Sequence, residues 1–160
     1  MGRGNNEVWV TGIGLVSSLG EGIETHWTQL TSGRVPQAVV DEESHAPFPV
    51  HPVVELDLSK QIPKRSDQRQ MGPWQHLGTY TAGLALDDAG IAHNADLLAA
   101  TNMIIAAGAG KRDVEVDTAI MEGVMKANNP GAYLNEALRN ELSPTLFLAQ
   151  LSNLLAGNIS

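Results

Sequence analysis

The spacing of apolar residues changes several times along the chain, and each change predicts an element. Val8, Trp9 and Val10 are consecutive β-branched or aromatic residues, a run that predicts a buried first strand. Thr11-Gly12 interrupts it and Gly14 follows, so the backbone there must turn tightly or approach another group closely. Ile23, Trp27 and Leu30 then recur at spacings of four and three, one face of a helix. Glu21 and Glu24 suit its positive end, and Ser32-Gly33 stops it. The best helical stripe runs from Trp74 to Gly90, with Trp74, Leu77, Thr81, Leu84 and Ala85 on one face and Pro73 in the first turn. Gly78 and Gly83 weaken this helix by about 1 kcal/mol each, which is tolerable where another helix comes close.

Met103 to Ala107 predicts a second buried strand, running into the turn Gly108-Ala109-Gly110. From Asp113 to Lys126 the apolar residues Val116, Ile120 and Val124 fall four apart, again a helix. Asn128 to Gly131 is a turn cluster, and Leu134 to Leu142 reads as a short helix. A last, largely apolar helix begins at Ser143-Pro144, carries Leu146, Phe147, Leu151, Leu154 and Leu155, and ends at Ala156-Gly157. Between the first two helices, Val35 to Pro63 is proline-rich and irregular, a surface excursion with short edge strands such as Val53 to Leu56. Residues 1–7 form a loose N-terminus, leaving 8–160 as one domain. The order strand, glycine turn, helix is that of an α/β domain.

The glycines invite a dinucleotide-binding reading, but Ser17 stands where that fingerprint needs a third glycine. Close packing of the first strand against its neighbours explains Gly12 and Gly14 better. None of His26, His45, His51 and His76 has a second ligand at metal-binding spacing, so no metal site is expected.

Composition narrows the function. The chain has 160 residues, no cysteine and a formal net charge of −8. Without cysteine there is no disulfide, no thiolate zinc site and no thiol nucleophile. The acidic balance argues against a nucleic-acid partner. No apolar run is long enough to cross a bilayer and no export signal is visible, so the cytoplasm is the expected compartment. One basic island interrupts the acidic background: Lys60, Lys64, Arg65 and Arg69, against a single Asp67. It reads either as a solvated helix start or as a docking patch for an acidic partner.

The stretch V-T-G-I-G-L-V-S-S-L-G, followed by E-T-H-W-T-Q-L-T-S-G, resembles the start of the β-ketoacyl-acyl-carrier-protein synthases, most of all the elongating type II enzymes. Further anchors occur in the same order: Arg65 with Asp67-Gln68-Arg69 and Met71, the helix end at Leu84 to Gly90, G-A-G, and Ser143-Pro144 leading to Asn153 and Ala156-Gly157. The resemblance implies a partial thiolase-like α/β fold, the first part of the N-terminal half of a layered α-β-α-β-α condensing enzyme. It implies condensation of acyl thioesters with malonyl-carrier protein, in fatty-acid or polyketide synthesis, with acyl carrier protein as partner, a homodimer, and no cofactor.

The family's nucleophilic cysteine, two histidines and lysine would all lie beyond Ser160, so no residue of this chain is assigned a catalytic role. The resemblance places carrier docking on Lys64, Arg65 and Arg69, with Ser66 and Gln70 standing where relatives often carry bases. It places the acyl pocket on Ala109, Leu146 and Phe147, with Ala109 a small residue at a position usually held by a bulky gate. Two other classes stay in view, a non-catalytic dimerisation or binding module and a nucleotide-binding protein. Thermal protection by NAD(P)H would mark the latter.

Acyl transfer in this family needs a thiolate to take up the acyl group. With no cysteine, the isolated chain is expected to remain unlabelled after incubation with radiolabelled acyl-carrier protein. Stable covalent acylation would contradict that expectation.

Overall fold

The computed structural model describes residues 7–108, 113–142, 151 and 153–160. They divide into two compact units, one reaching to Met103 and including Ile159, the other running from Ile104 to Asn158 with Ser160.

The first unit begins with an extended segment that leads into a small antiparallel hairpin, β1 (Val16–Ser17) and β2 (Gly20–Glu21). Val16 pairs with Glu21 and Ser17 with Gly20. Gly20 has φ 142° and Gly22 has φ 81°, values that side-chain-bearing residues avoid, so glycine is required on the return strand and at its exit. Helix α1 (Ile23–Thr31) follows directly. After a long loop carrying one antiparallel bridge, Asp41 to Val50, come a 3-10 turn (Leu58–Lys60), α2 (Arg65–Gln70), α3 (Pro73–Asp88) and α4 (Ala95–Ala100).

Helix α3 organises this unit. Its start is closed by Gln75, whose side-chain oxygen accepts from the Gly72 N–H at 2.6 Å while its own N–H donates to Gly72 O at 3.0 Å. Its end is closed by Gly90 at φ 70°, with the Ile91 N–H returning to Leu86 O at 3.0 Å. Between these caps, residues 12–14 lie directly on the helix backbone. A Cβ at Gly14 would fall on the Thr81 carbonyl oxygen, and one at Gly12 would fall on Ala85 O and lie 2.5 Å from Ala89 N. The approach is pinned by the Ile13 N–H, which donates to Asp88 Oδ2 at 2.9 Å. Gly83 faces the side chain of Gln61 rather than another helix, and Gln61 in turn donates to Asp87 Oδ2 at 2.6 Å.

Several expectations need correction here. Val8 to Val10 does not form a buried strand: Val8 is 95% exposed, and the segment has no ladder partner among the described residues. Met103 to Ala107 and Val53 to Leu56 likewise form no strand: Ile104 is 95% exposed, and Val53 to Leu56 meets β1 only through the Val54 N–H, which donates to Ser17 O at 3.4 Å. β-Branched sequence favours a strand only where a neighbouring strand supplies hydrogen bonds and a covered face. On α1 the expected Trp27–Leu30 face is exposed, and His26 is buried in its place. The hairpin covers the His26 side of the helix and offers that ring two hydrogen-bond partners. On α3, Trp74, Leu77, Thr81, Leu84 and Ala85 are half-buried, while the deepest residues are Gln75 and Tyr80.

The second unit contains α5 (Val114–Lys126), α6 (Pro130–Glu141) and all but the last residue of α7 (Leu154–Ile159). Asp113 caps α5 by accepting from the Val116 N–H at 3.2 Å, and Asn129 caps α6 by accepting from the Ala132 N–H at 3.2 Å. With Asn129 as cap and Pro130 in the first turn, α6 starts four residues before the Leu134 expected from apolar spacing. Val116, Ile120 and Val124 do face inward on α5, and Ile120 is buried, as is Ala137 of α6. The Tyr133 ring of α6 occupies the space where a Cβ on Gly123 would sit. The expected helix from Ser143 lies mostly outside the described residues, and α7 runs through Gly157 to Ile159 instead of ending at Ala156-Gly157.

The close approaches yield a direct test. Gly14→Ala puts a methyl into the α3 backbone, which cannot yield as a flexible side chain would. It should lower stability by about 2 kcal/mol or more. Gly123→Ala displaces the Tyr133 ring, whose flexible end can move, and should cost less. Thermal unfolding followed by circular dichroism measures both.

Candidate functional site

The basic island becomes a local surface at the start of α2. Lys64 is the residue before the first turn, and Arg65 and Arg69 are four apart on the helix, so they share a face. All three are exposed, and no ion pair to them forms among the described residues. Asp67 lies between them in sequence and accepts from the Ser66 hydroxyl at 3.1 Å.

What holds this ridge is the turn before it and the helix after it. The Gln68 side chain of α2 donates to Ile62 O at 2.6 Å, and Ile62 itself is buried. His76 of α3 places its Nε2 2.6 Å from Gln68 O, tying the second helix to the first. His76, for which spacing offered no metal partner, is therefore a strut between α2 and α3.

Lys60 is diverted from the island. Its Nζ lies 3.1 Å from Glu21 Oε2, and the Tyr80 hydroxyl donates to Glu21 Oε1 at 2.7 Å. Tyr80 is fully buried and comes from the centre of α3, whereas Glu21 closes the hairpin. This cluster joins β2, the 3-10 turn and α3 through one carboxylate. The Tyr80 hydrogen bond is the main cause holding the Glu21 carboxyl below its ordinary value, with Lys60 adding to it. Burial, and then the Glu21 partner, push the Tyr80 phenol well above the usual tyrosine range.

A second polar pair anchors the hairpin to α1. The His26 Nδ1–H donates to Gly22 O at 2.7 Å, which leaves Nε2 to accept from the Ser17 hydroxyl at 2.7 Å. Ser17 Oγ also accepts from the Leu19 N–H at 3.0 Å. Both ring nitrogens are satisfied, which makes burial of this histidine inexpensive. The pair's hydrogen bonds all return to the hairpin and the helix start, so its work is to fix their geometry.

Sequence periodicity gave no sign of either polar cluster. Tyr80 sits outside the apolar stripe expected of α3, and Ser17 and His26 are nine residues apart with no motif linking them. The one usable signal was the acidic Glu21 at the edge of a glycine turn. The acyl-pocket residues Ala109, Leu146 and Phe147 lie outside the described residues. Among the described residues no group of three or more His, Cys, Asp or Glu side chains could hold a metal ion, and no helix is long and apolar enough to cross a membrane.

The Glu21 cluster makes stability depend on pH in a stated direction. Glu21 titrates below its ordinary value of 4.5 in the folded chain. Its contribution is complete above that value and is lost as pH falls through the lowered one. Tyr80→Phe removes the largest cause of the lowering, so it should destabilise the chain near neutral pH and flatten the fall in stability below about pH 4.5. Denaturant unfolding between about pH 3 and pH 7 tests this, and an unchanged acid limb in the variant would contradict it.

Comparison with known proteins gives one match. Residues 5–160 fit a family model described as "Beta-ketoacyl synthase, N-terminal domain". No curated protein and no solved structure matches.

Proposed function

We propose that this chain, which belongs to the β-ketoacyl synthase family, supplies the N-terminal portion of a 3-oxoacyl-acyl-carrier-protein synthase. Membership places it among acyltransferase-type condensing enzymes with a thiolase-like fold. The observation that carries the reading is the match across residues 5–160, nearly the whole chain. The parent reaction would be decarboxylative condensation of an acyl thioester with malonyl-carrier protein. This chain's part in it is scaffold and docking surface, since it offers no cysteine to take up the acyl group.

Lys64, Arg65 and Arg69 are the proposed docking ridge for acyl carrier protein. The chain is acidic overall at −8, so an acidic partner is repelled except where cations cluster. The ridge is exposed, helical and free of ion pairs among the described residues, so its charge is available for an encounter. The proposed acyl pocket takes in Ala109, Leu146 and Phe147, where the small Ala109 would leave room for a long acyl tail. A homodimer belongs to the same reading. The rival, a binding or dimerisation module derived from a ketosynthase, uses the same surfaces without a reaction.

Binding of acidic carrier protein to this chain, followed by heteronuclear NMR titration at two ionic strengths, tests the docking ridge. Arg65→Glu with Arg69→Glu should weaken binding roughly tenfold at low salt and far less at high salt. An unchanged titration at low ionic strength would remove the docking assignment and return the ridge to a solvated helix start.

A further inference from the structure

One hydroxyl stands inside the cationic ridge of α2. Ser66 is the only serine in the sequence preceded directly by two basic residues, Lys64 and Arg65, and Arg69 follows it three positions on. By contrast, Ser44 sits beside Glu42 and Glu43, and Ser17 is tied to His26. Ser66 is exposed, and its hydroxyl donates to the neighbouring Asp67 Oδ1 at 3.1 Å. The chain leading to it is also accessible. Residues 63–66 are all exposed, and Lys64 is extended at φ −86° and ψ 117°. Helix α2 has six residues, too few to be stable by itself. Its first turn is closed by Lys64 O, which accepts from the Asp67 and Gln68 N–H groups at 3.1 and 3.2 Å. Its far half is held separately, by the Gln68 side chain and by His76. The first turn can therefore open and present Ser66 in extended form while the rest stays in place.

We propose that Ser66 is a phosphorylation site and that its phosphate turns the docking ridge off. The proposal rests on the reading of Lys64, Arg65 and Arg69 as a docking surface for an acidic partner. The reaction needs a protein kinase and a nucleoside triphosphate. The Ser66 oxygen attacks the terminal phosphorus, and the new O–P bond forms as the bond to the diphosphate breaks. The hydroxyl proton passes to the kinase's base, and the nucleoside diphosphate leaves. Lys64 and Arg65, just before the serine, suit a kinase whose substrate groove is acidic.

Charge decides the outcome. Three cations against Asp67 leave residues 64–69 with a net charge of +2. A phosphoserine brings about −1.5 to −2 at neutral pH, so the ridge becomes close to neutral. Arg69 lies one helical turn from position 66, near enough for a charge-assisted hydrogen bond to the phosphate. A guanidinium that would meet the partner's carboxylate is then occupied from within the chain. The net charge of −8 on the whole chain repels an acidic partner, with little left at α2 to oppose it.

Phosphoserine installed at position 66 of the intact chain tests the effect, with acidic carrier protein as the probe and NMR titration as the readout. It should weaken binding about tenfold or more at low ionic strength and much less at high. Ser66→Gln, which adds bulk without charge, should bind within about twofold of the parent chain. An equal loss with Ser66→Gln would assign the effect to bulk and overturn the switch. Arg65→Glu with Arg69→Glu separates this proposal from the reading beneath it. If that variant binds weakly while the phosphorylated chain binds as the parent does, the switch is overturned and the docking ridge stands. If neither differs from the parent, the docking reading falls and the switch falls with it. The modification itself is read by phosphosite mass spectrometry of the protein recovered from its own cells, in growth and in stationary phase. Phosphate on Ser66 in part of the population is expected, and a bare Ser66 in both phases overturns the proposal.

Discussion

The first unit depends on how closely residues 12–14 approach the backbone of α3. Two chain segments can touch at that distance only if one carries no side chain, and Gly12 and Gly14 supply that condition. Once the segment lies there, the Ile13 N–H meets Asp88 Oδ2, and the hairpin is carried to the middle of the helix, where Glu21 reaches the Tyr80 hydroxyl. A bulkier residue at either glycine would displace the segment and, with it, the hairpin, α1 and the His26 anchor.

Polar groups, more than apolar area, fix the joints of this unit. Glu21 gathers a phenol and an ammonium, His26 bridges Ser17 and Gly22, and His76 links α3 to α2. Each bond is directional, so it fixes an orientation that a hydrophobic contact would leave free. The proposed docking ridge at α2 is held in the same way. The ridge of Lys64, Arg65 and Arg69 is held from behind by Gln68 and His76, while its own charges stay exposed. Lys60, nominally part of the same island, is taken up by Glu21 and serves the fold instead.

The sequence by itself determined several of the helical stretches and where some of them stop, though it gave no sign of α4. Pro73 and Asp87 to Gly90 mark α3, and Val116, Ile120 and Val124 mark the inward face of α5, because caps and 3.6-residue spacing are local properties. It also determined the family, through ordered short motifs, and the absence of a thiol nucleophile. Tertiary structure alone decided whether β-branched runs become strands. Val8 to Val10 and Met103 to Ala107 have the composition for it, yet pairing needs a neighbour that sequence does not name. It alone decided that His26 is buried while Trp27 is exposed, because the hairpin chooses which side of α1 is covered. And it alone brought Glu21 to Tyr80, residues 59 apart, since a hydrogen bond across such a separation leaves no periodic trace in the chain.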